Sequence, residues 1–360
     1  MMPRYSDLAS YLNTGGKPIF FVHCVKTAGT SLNGYLTRMD GRSRMTTYYI
    51  DRQYTDLLLA EAAQPGFYDS HHATHLPFSV LAPILDRLDV SRFHWLVCVR
   101  DPVARQISHY RFLRKMQHLP LIQNNCIDFS SLEAFTDSMP RNSQCRFYHS
   151  SGQAADAIAF LDRLDVQVVP VEFMSAVIDD IYVQRGLPPL QEIRANRTDQ
   201  EPPARDLSPT AAALIAERFA QDDLLYRTYH ARVAPLMAGL GRPVPVATLQ
   251  PGDDLSFLRP AAQAGQLYIF GSSRVAEQLL GRLRQAGLQP AGFIDSTRDG
   301  TLARLPVWRA DQLDSARWQA ASVLIAAEAF GPIHRLAQTR GCRQIIDAFD
   351  YAIQKEIWRV

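Results

Sequence analysis

The run Lys26-Thr27-Ala28-Gly29-Thr30-Ser31 follows an apolar stretch, IFFVHCV (19–25), and leads into a helical pattern, SLNGYLTRM (31–39). The N–H groups that open a helix have no partner inside it, and the helix dipole adds positive potential at the same end. Such a loop suits a phosphate or a sulfate. Gly29 lets the backbone come close. Thr27, Thr30 and Ser31 add hydroxyl donors, and Lys26 adds a mobile charge at the strand tip. A plain strand–helix turn needs only one capping hydroxyl, so this loop carries more than a turn requires. It is not the triphosphate loop G-x-x-x-x-G-K-[ST], which puts its lysine after a second glycine.

A second cluster, VCVRDPVARQISHYRFLRK (97–115), follows another apolar run, FHWLVCV (93–99). Arg100 stands at the strand tip, Asp101-Pro102 opens a helix, and Ser108 lies two turns in. The guanidinium fork suits a second phosphate, and Ser108 adds a hydroxyl. Arg105, Arg111, Arg114 and Lys115 read as a solvated basic face of that helix. Both tips belong at the carboxyl edge of a parallel sheet, where α/β folds bind ligands. Two separated anion sites on one sheet imply a ligand with phosphate at both ends of a nucleoside.

Between these clusters, DSHHATHLPFSV (69–80) holds His71, His72 and His75, three of the ten histidines. An imidazole with a pKa near neutral suits removal of a proton from a hydroxyl. The ligand set of a zinc site is not assembled here, so no metal is expected.

The elements that must position these residues alternate. VQVVPVEF (166–173) is a third strand, and SPTAAALIAERFAQDDLLYRTYHAR (208–232) a helix capped by Ser208 with Pro209 in its first turn. Strands alternating with helices predict an α/β fold, a parallel sheet with a P-loop-like anion-binding loop flanked by helices. Four prolines and three glycines in 241–265 mark a seam. The expected domains are 1–240, a Pro/Gly-rich linker at 241–263, and a smaller Rossmann-like α/β domain at 264–360. In the latter, 267–271, 291–295, 322–327 and 344–349 read as strands and 273–287 as a helix. Its dinucleotide fingerprint is degraded to Gly271, Ser273 and Ala276, with Asp295 closing the next strand. Nucleotide-sugar binding, acceptor recognition, oligomer contact and a purely structural role are all open to it.

KTAGTSL after one apolar strand and R-D-P-V-x-R-x-x-S-x-Y after another resemble the sulfotransferases. The resemblance is closest to the branch of the heparan sulfate and dermatan/chondroitin uronyl 2-O-sulfotransferases and their bacterial relatives, and it spans about residues 17–232. It implies a co-substrate, 3′-phosphoadenosine 5′-phosphosulfate (PAPS). It also implies that Lys26, Thr27, Ala28, Gly29, Thr30 and Ser31 hold the 5′-phosphosulfate and that Arg100 and Ser108 hold the 3′-phosphate. His75 in His75-Leu76-Pro77-Phe78 matches the family's base histidine best, with His72 second; Thr74 replaces the usual glycine. Lys26 would neutralise charge on the leaving phosphate. Glu172 in VPVEFM is implied to be structural or near the acceptor, and Asn196 and Arg197 in RANRT to lie near the 3′-phosphate. The expected activity is O-sulfation of a carbohydrate or related small-molecule or glycan acceptor.

Composition agrees with a globular enzyme. The 360 residues are 47% hydrophobic and 21% charged, and 38 basic against 36 acidic side chains leave a net charge of +2. So even a balance argues against a nucleic-acid coat. No stretch approaches the apolar length of a membrane span, and the first residues carry no signal-peptide pattern. The five cysteines (Cys24, Cys98, Cys126, Cys145, Cys342) read as reduced thiols, which with the missing anchor predicts a bacterial cytoplasm. Two alternatives stand beside the transferase. A kinase-like phosphotransferase lacks the Walker lysine, and a non-catalytic nucleotide-binding scaffold would not need Lys26 beside a histidine.

Overall fold

The computed structural model describes residues 4–27, 29–40, 44–45, 53–118, 127–188, 207–238, 249 and 253–353. Its contacts gather into two units. The first comprises Met1–Gly34, Ser43–Ile181 and Arg194–Arg242, and the second comprises Tyr35–Arg42, Tyr182–Ile193 and Pro243–Val360.

The first unit is built on a five-stranded sheet of β1 (Ile19–Val22), β2 (Arg44–Met45), β3 (His72–Thr74), β4 (His94–Val99) and β5 (Gln167–Pro170). The order is β2-β3-β1-β4-β5 and every pairing is parallel. All strand ends that follow the chain direction therefore meet at one carboxyl edge. In register, Val22 faces Thr74 on one side and Val97 on the other. The apolar runs behave as strands covered on both faces: every residue of β1 and β4 is buried. Phe20, Val22, Trp95, Val97, Val99 and Val168 share one core with the helix Ala154–Arg163 through Ala157, Phe160 and Leu161.

The loop after β1 enters α1 (Gly29–Asp40), and β4 enters α2 (Pro102–Lys115). Asp101 caps α2 by accepting from Ala104 N at 2.8 Å, and Pro102 fills the first turn, where its missing N–H costs nothing. Two expected elements differ. The third strand stops at Pro170 and continues as a 3-10 turn, Val171–Phe173. The long helix is two, α4 (Pro209–Arg218) and α5 (Ala220–Met237), because Phe219 leaves helical geometry at φ −118°, ψ 28°. A short helix, α3 (Ser143–Tyr148), lies earlier in the chain.

The second unit holds a six-stranded sheet of β6 (Leu267–Phe270), β7 (Gly292–Asp295), β8 (Gly300–Leu302), β9 (Leu305–Arg309), β10 (Ser322–Ile325) and β11 (Gln344–Asp347). Its order is β11-β10-β6-β7-β9-β8, parallel except for the β8–β9 hairpin. With the hairpin's first strand set aside, this is the doubly wound order 3-2-1-4-5 of a Rossmann-like sheet. The helix α6 (Arg274–Gln285) buries Ala276, Leu279, Leu280 and Leu283, the spacing of one helical face.

Among the described residues no helix is long and apolar enough to cross a membrane. Cys24, Cys98 and Cys145 are buried free thiols and Cys342 is a half-buried one. Cys126 lies outside the described residues.

Candidate active site

At the carboxyl edge the chain leaves β1 through a tight turn. Thr27 N and its hydroxyl both donate to Cys24 O, at 3.3 and 2.7 Å, and Thr27 is fully buried. Its hydroxyl hydrogen therefore closes the loop rather than waiting for a ligand. Lys26 takes φ +66°, the left-handed region that disfavours a side chain and costs about 1–3 kcal/mol. Strain of this kind persists only where the surroundings overdetermine the backbone. Ala28 lies outside the described residues, as do the side chains of Gly29, Thr30 and Ser31.

Two arginines supply the overdetermination. Arg100 Nη1 donates to Lys26 O at 3.2 Å. Its own backbone is clamped by Gln144, whose Oε1 accepts from Arg100 N at 2.9 Å and whose Nε2 donates to Arg100 O at 3.1 Å. Arg105 Nε donates to Val25 O at 3.2 Å, and both its terminal nitrogens reach Ser143 Oγ at 3.0 Å. Behind it, Asp222 on α5 faces Arg105 Nη1 at 3.5 Å and caps α3 by accepting from Gln144 N at 3.0 Å and Cys145 N at 2.7 Å. Arg105 is thus no solvated face residue: its side chain is 4% exposed, and it ties the loop after β1 to α3 and α5. Arg114 and Lys115 are exposed, as expected, and Arg111 is half-buried.

The half-buried Lys26 ammonium lies 4.3 Å from the centre of the Phe112 ring. Burial, then Arg100 and Lys115, push its pKa down to about 8. Burial likewise lowers the pKa of Arg100, against the pull of Glu172 and Asp101. Glu172 stands in the turn after β5 and accepts from the Tyr226 hydroxyl at 3.1 Å. Ser108 is half-buried on α2. Its neighbour His109, absent from the sequence expectations, has its pKa pushed down to about 3 by burial, then by Arg105 and Lys26, so it is neutral beside the loop. Asn196 and Arg197 lie outside the described residues.

The three adjacent histidines separate by environment. His71 is buried and accepts from Ile19 N through Nδ1 at 2.8 Å, so it anchors the start of β1. His72 is buried among Phe20, Phe67 and Phe93, with Nε2 2.8 Å from Phe67 O. His75 follows β3, is half-buried, and puts Nε2 3.2 Å from Nδ1 of His23. Thr74 has a use for its side chain where a glycine was expected: Oγ1 accepts from Leu76 N at 3.1 Å and holds the turn that carries His75. Burial lowers the pKa of His75, and burial followed by His75 and Lys26 holds His23 well below the ordinary range.

In the second unit, Asp295 is spent on its own turn and on the loop after β6. Its carboxylate accepts from the Ser272 hydroxyl at 2.5 Å, from Thr297 N at 2.9 Å and from Arg298 N at 3.1 Å. Among the described residues no group of three or more His, Cys, Asp or Glu is placed to hold a metal ion.

No family model matches the chain, and no curated protein matches it. Among solved structures, it is similar to a sulfotransferase from Alicyclobacillus acidocaldarius at 17% identity, over 64% of this chain and 98% of that one, with a TM-score of 0.33. It is also similar to the mouse sulfotransferase SULT7A1 complexed with PAP, at 15% identity over 62% of this chain and 93% of that one, with a TM-score of 0.39.

Proposed function

We propose that the first unit transfers a sulfuryl group from PAPS to a hydroxyl of a carbohydrate or related acceptor. The observation that carries this reading is the bond from Arg100 Nη1 to Lys26 O at 3.2 Å, which brings two cationic strand tips from distant stretches to one sheet edge. A guanidinium has five N–H donors, so Arg100 keeps most of its fork for a phosphate after holding the loop. The backbone N–H groups that open α1 and the Lys26 ammonium suit the phosphosulfate end. Ser108 on α2 is a hydroxyl for the 3′-phosphate end.

In the reaction the acceptor oxygen attacks sulfur while its proton passes to His75. The bond from sulfur to the bridging phosphate oxygen breaks, and that oxygen leaves with the electron pair. Positioned cations do most of the work in such transfers, so Lys26 neutralises the charge that develops there. His75 is the better base of the two candidates because it stands at the carboxyl edge, whereas the ring of His72 is enclosed by phenylalanines.

Thermal unfolding against a ligand panel tests the donor. Stabilisation by 3′,5′-adenosine bisphosphate supports the reading; stabilisation by ATP with magnesium alone replaces it with phosphoryl transfer. Incubation with radiolabelled PAPS and a glycan and metabolite extract then identifies the acceptor by what gains label.

A further inference from the structure

His23 and His75 meet across the β1–β3 pair. Their ring centroids are 4.2 Å apart with planes tilted by 46°, and Nδ1 of His23 lies 3.2 Å from Nε2 of His75. The sheet sets this distance. His23 N donates to Thr74 O at 2.8 Å, directly before His75, and Phe21 stacks on the His23 ring at 5.4 Å. Two ring nitrogens so placed share one hydrogen: with two they repel, and with none nothing joins them.

We propose that His23 is the positioning residue of the base: it accepts from Nε2–H of His75 and so leaves Nδ1 of His75 to take the acceptor's proton. The proposal rests on the sulfuryl-transfer reading. A neutral imidazole carries one hydrogen, so fixing it on Nε2 puts the lone pair on Nδ1. The opposite sharing, with His23 donating, would place a hydrogen on Nδ1 of His75 and leave it no lone pair for the acceptor. When Nδ1 takes the proton, the bond from Nε2–H to His23 becomes charge-assisted and stronger. The proton therefore moves from the acceptor hydroxyl to Nδ1 of His75, and His23 stays neutral throughout.

The pair takes up one proton, not two. His23 faces His75 on one side and feels the Lys26 ammonium; His75 faces the His23 ring and also has a hydrogen bond with the His23 backbone, which favours its protonated form. A second imidazolium would set like charges against each other beside a third. The two rings thus titrate as a unit.

The test uses the full chain with nitrogen-15 in its histidines. Long-range proton–nitrogen correlation at neutral pH, without ligand, reads the tautomer of each ring, and His75→Gln and His23→Asn assign the signals. The expected result is hydrogen on Nε2 of both His75 and His23. Hydrogen on Nδ1 of His75, or a ring averaging between tautomers, overturns the proposal. This readout needs no turnover, so it stands even if the chain transfers no sulfuryl group. Kinetics give the second arm. His23→Phe keeps the ring and loses the acceptor; His23→Asn offers an amide oxygen in its place. His23→Phe is expected to lower kcat at least roughly tenfold, a share of what a general base supplies, with the donor KM unchanged. It also moves the acid limb of the pH profile to lower pH, because the imidazolium loses its hydrogen-bond acceptor. His23→Asn restores most of the rate. Equal losses in both variants, with stabilisation by 3′,5′-adenosine bisphosphate intact, overturn the positioning role.

Discussion

Arg105→Met removes a guanidinium that touches Val25, Ser143 and Asp222 from a site where it is 4% exposed. Methionine keeps the apolar stem, so the change isolates the charge. Removing one member of a buried ion pair costs about 3–5 kcal/mol, because the other charge is left without a counterion. Here that other charge is Asp222. Its carboxyl is already held above the ordinary 3.8 by burial, and Arg105 is the strongest of the contacts pulling it back. Without Arg105 the carboxyl rises further and takes a proton instead of standing bare. The folded state then holds that proton to higher pH than the unfolded chain does. Such a group contributes stability that is complete below the unfolded value and is lost as pH rises toward the folded one, at most about 1.4 kcal/mol per pH unit. The variant is therefore closest to wild type in acid and falls behind as the solution approaches neutrality. For a unit of this size, 3–5 kcal/mol corresponds to about 6–20 °C in Tm. Thermal unfolding of both proteins across mildly acid to mildly alkaline buffers reads this directly. Adding Asp222→Asn removes the proton-linked part and flattens the variant's pH dependence. Tm curves that run parallel at every pH, or that lie within about 2 °C of each other, would refute the claim that a buried charge pair holds the loop.

The remaining expectations are narrower. If the proposed donor site uses the Lys26 ammonium, whose pKa burial pushes down to about 8, affinity for 3′,5′-adenosine bisphosphate is level below that pH and falls above it by up to about tenfold per unit; calorimetry giving a flat profile well into the alkaline range contradicts this. His72→Leu removes the bond to Phe67 O from an apolar surround and lowers stability by about 1–3 kcal/mol, while the folded fraction keeps its kcat. His75→Gln does the opposite, lowering kcat by roughly 10²–10⁴ with little change in Tm; denaturation and turnover measured on both variants separate the two histidines. Asp295→Ala frees four donors in the second unit, and hydrogen exchange is expected to speed up at Thr297 and Arg298 without a change in donor binding to the first unit.

Local pattern was enough for the two strand–loop–helix units. Strands of a parallel sheet are covered on both faces, so 19–25 and 93–99 read as continuous apolar runs; β4 fills 94–99, while β1 stops at Val22 and 23–25 already belong to the loop. The cap at Asp101 and the proline after it announced α2 for the same local reason. The strand β3 was not legible, because His72 and Thr74 look polar; they enter the core only once Phe67 O and the turn at Leu76 satisfy their side chains. The β8–β9 hairpin was hidden too. Its turn uses Ala303 and Arg304 at φ 48° and 68°, where a reader expects asparagine or glycine. What the order of residues determined by itself was periodicity and the chemistry available at each strand tip. What only the tertiary structure decided was which charges and rings find partners. Arg105 looks like its basic neighbours until Asp222, on a helix far along the chain, lies beside it, and three nearly adjacent histidines part into a strand anchor, a core ring and the partner of His23. The partner of a buried polar group is set by packing across the sheet, and its sequence separation carries no local signal.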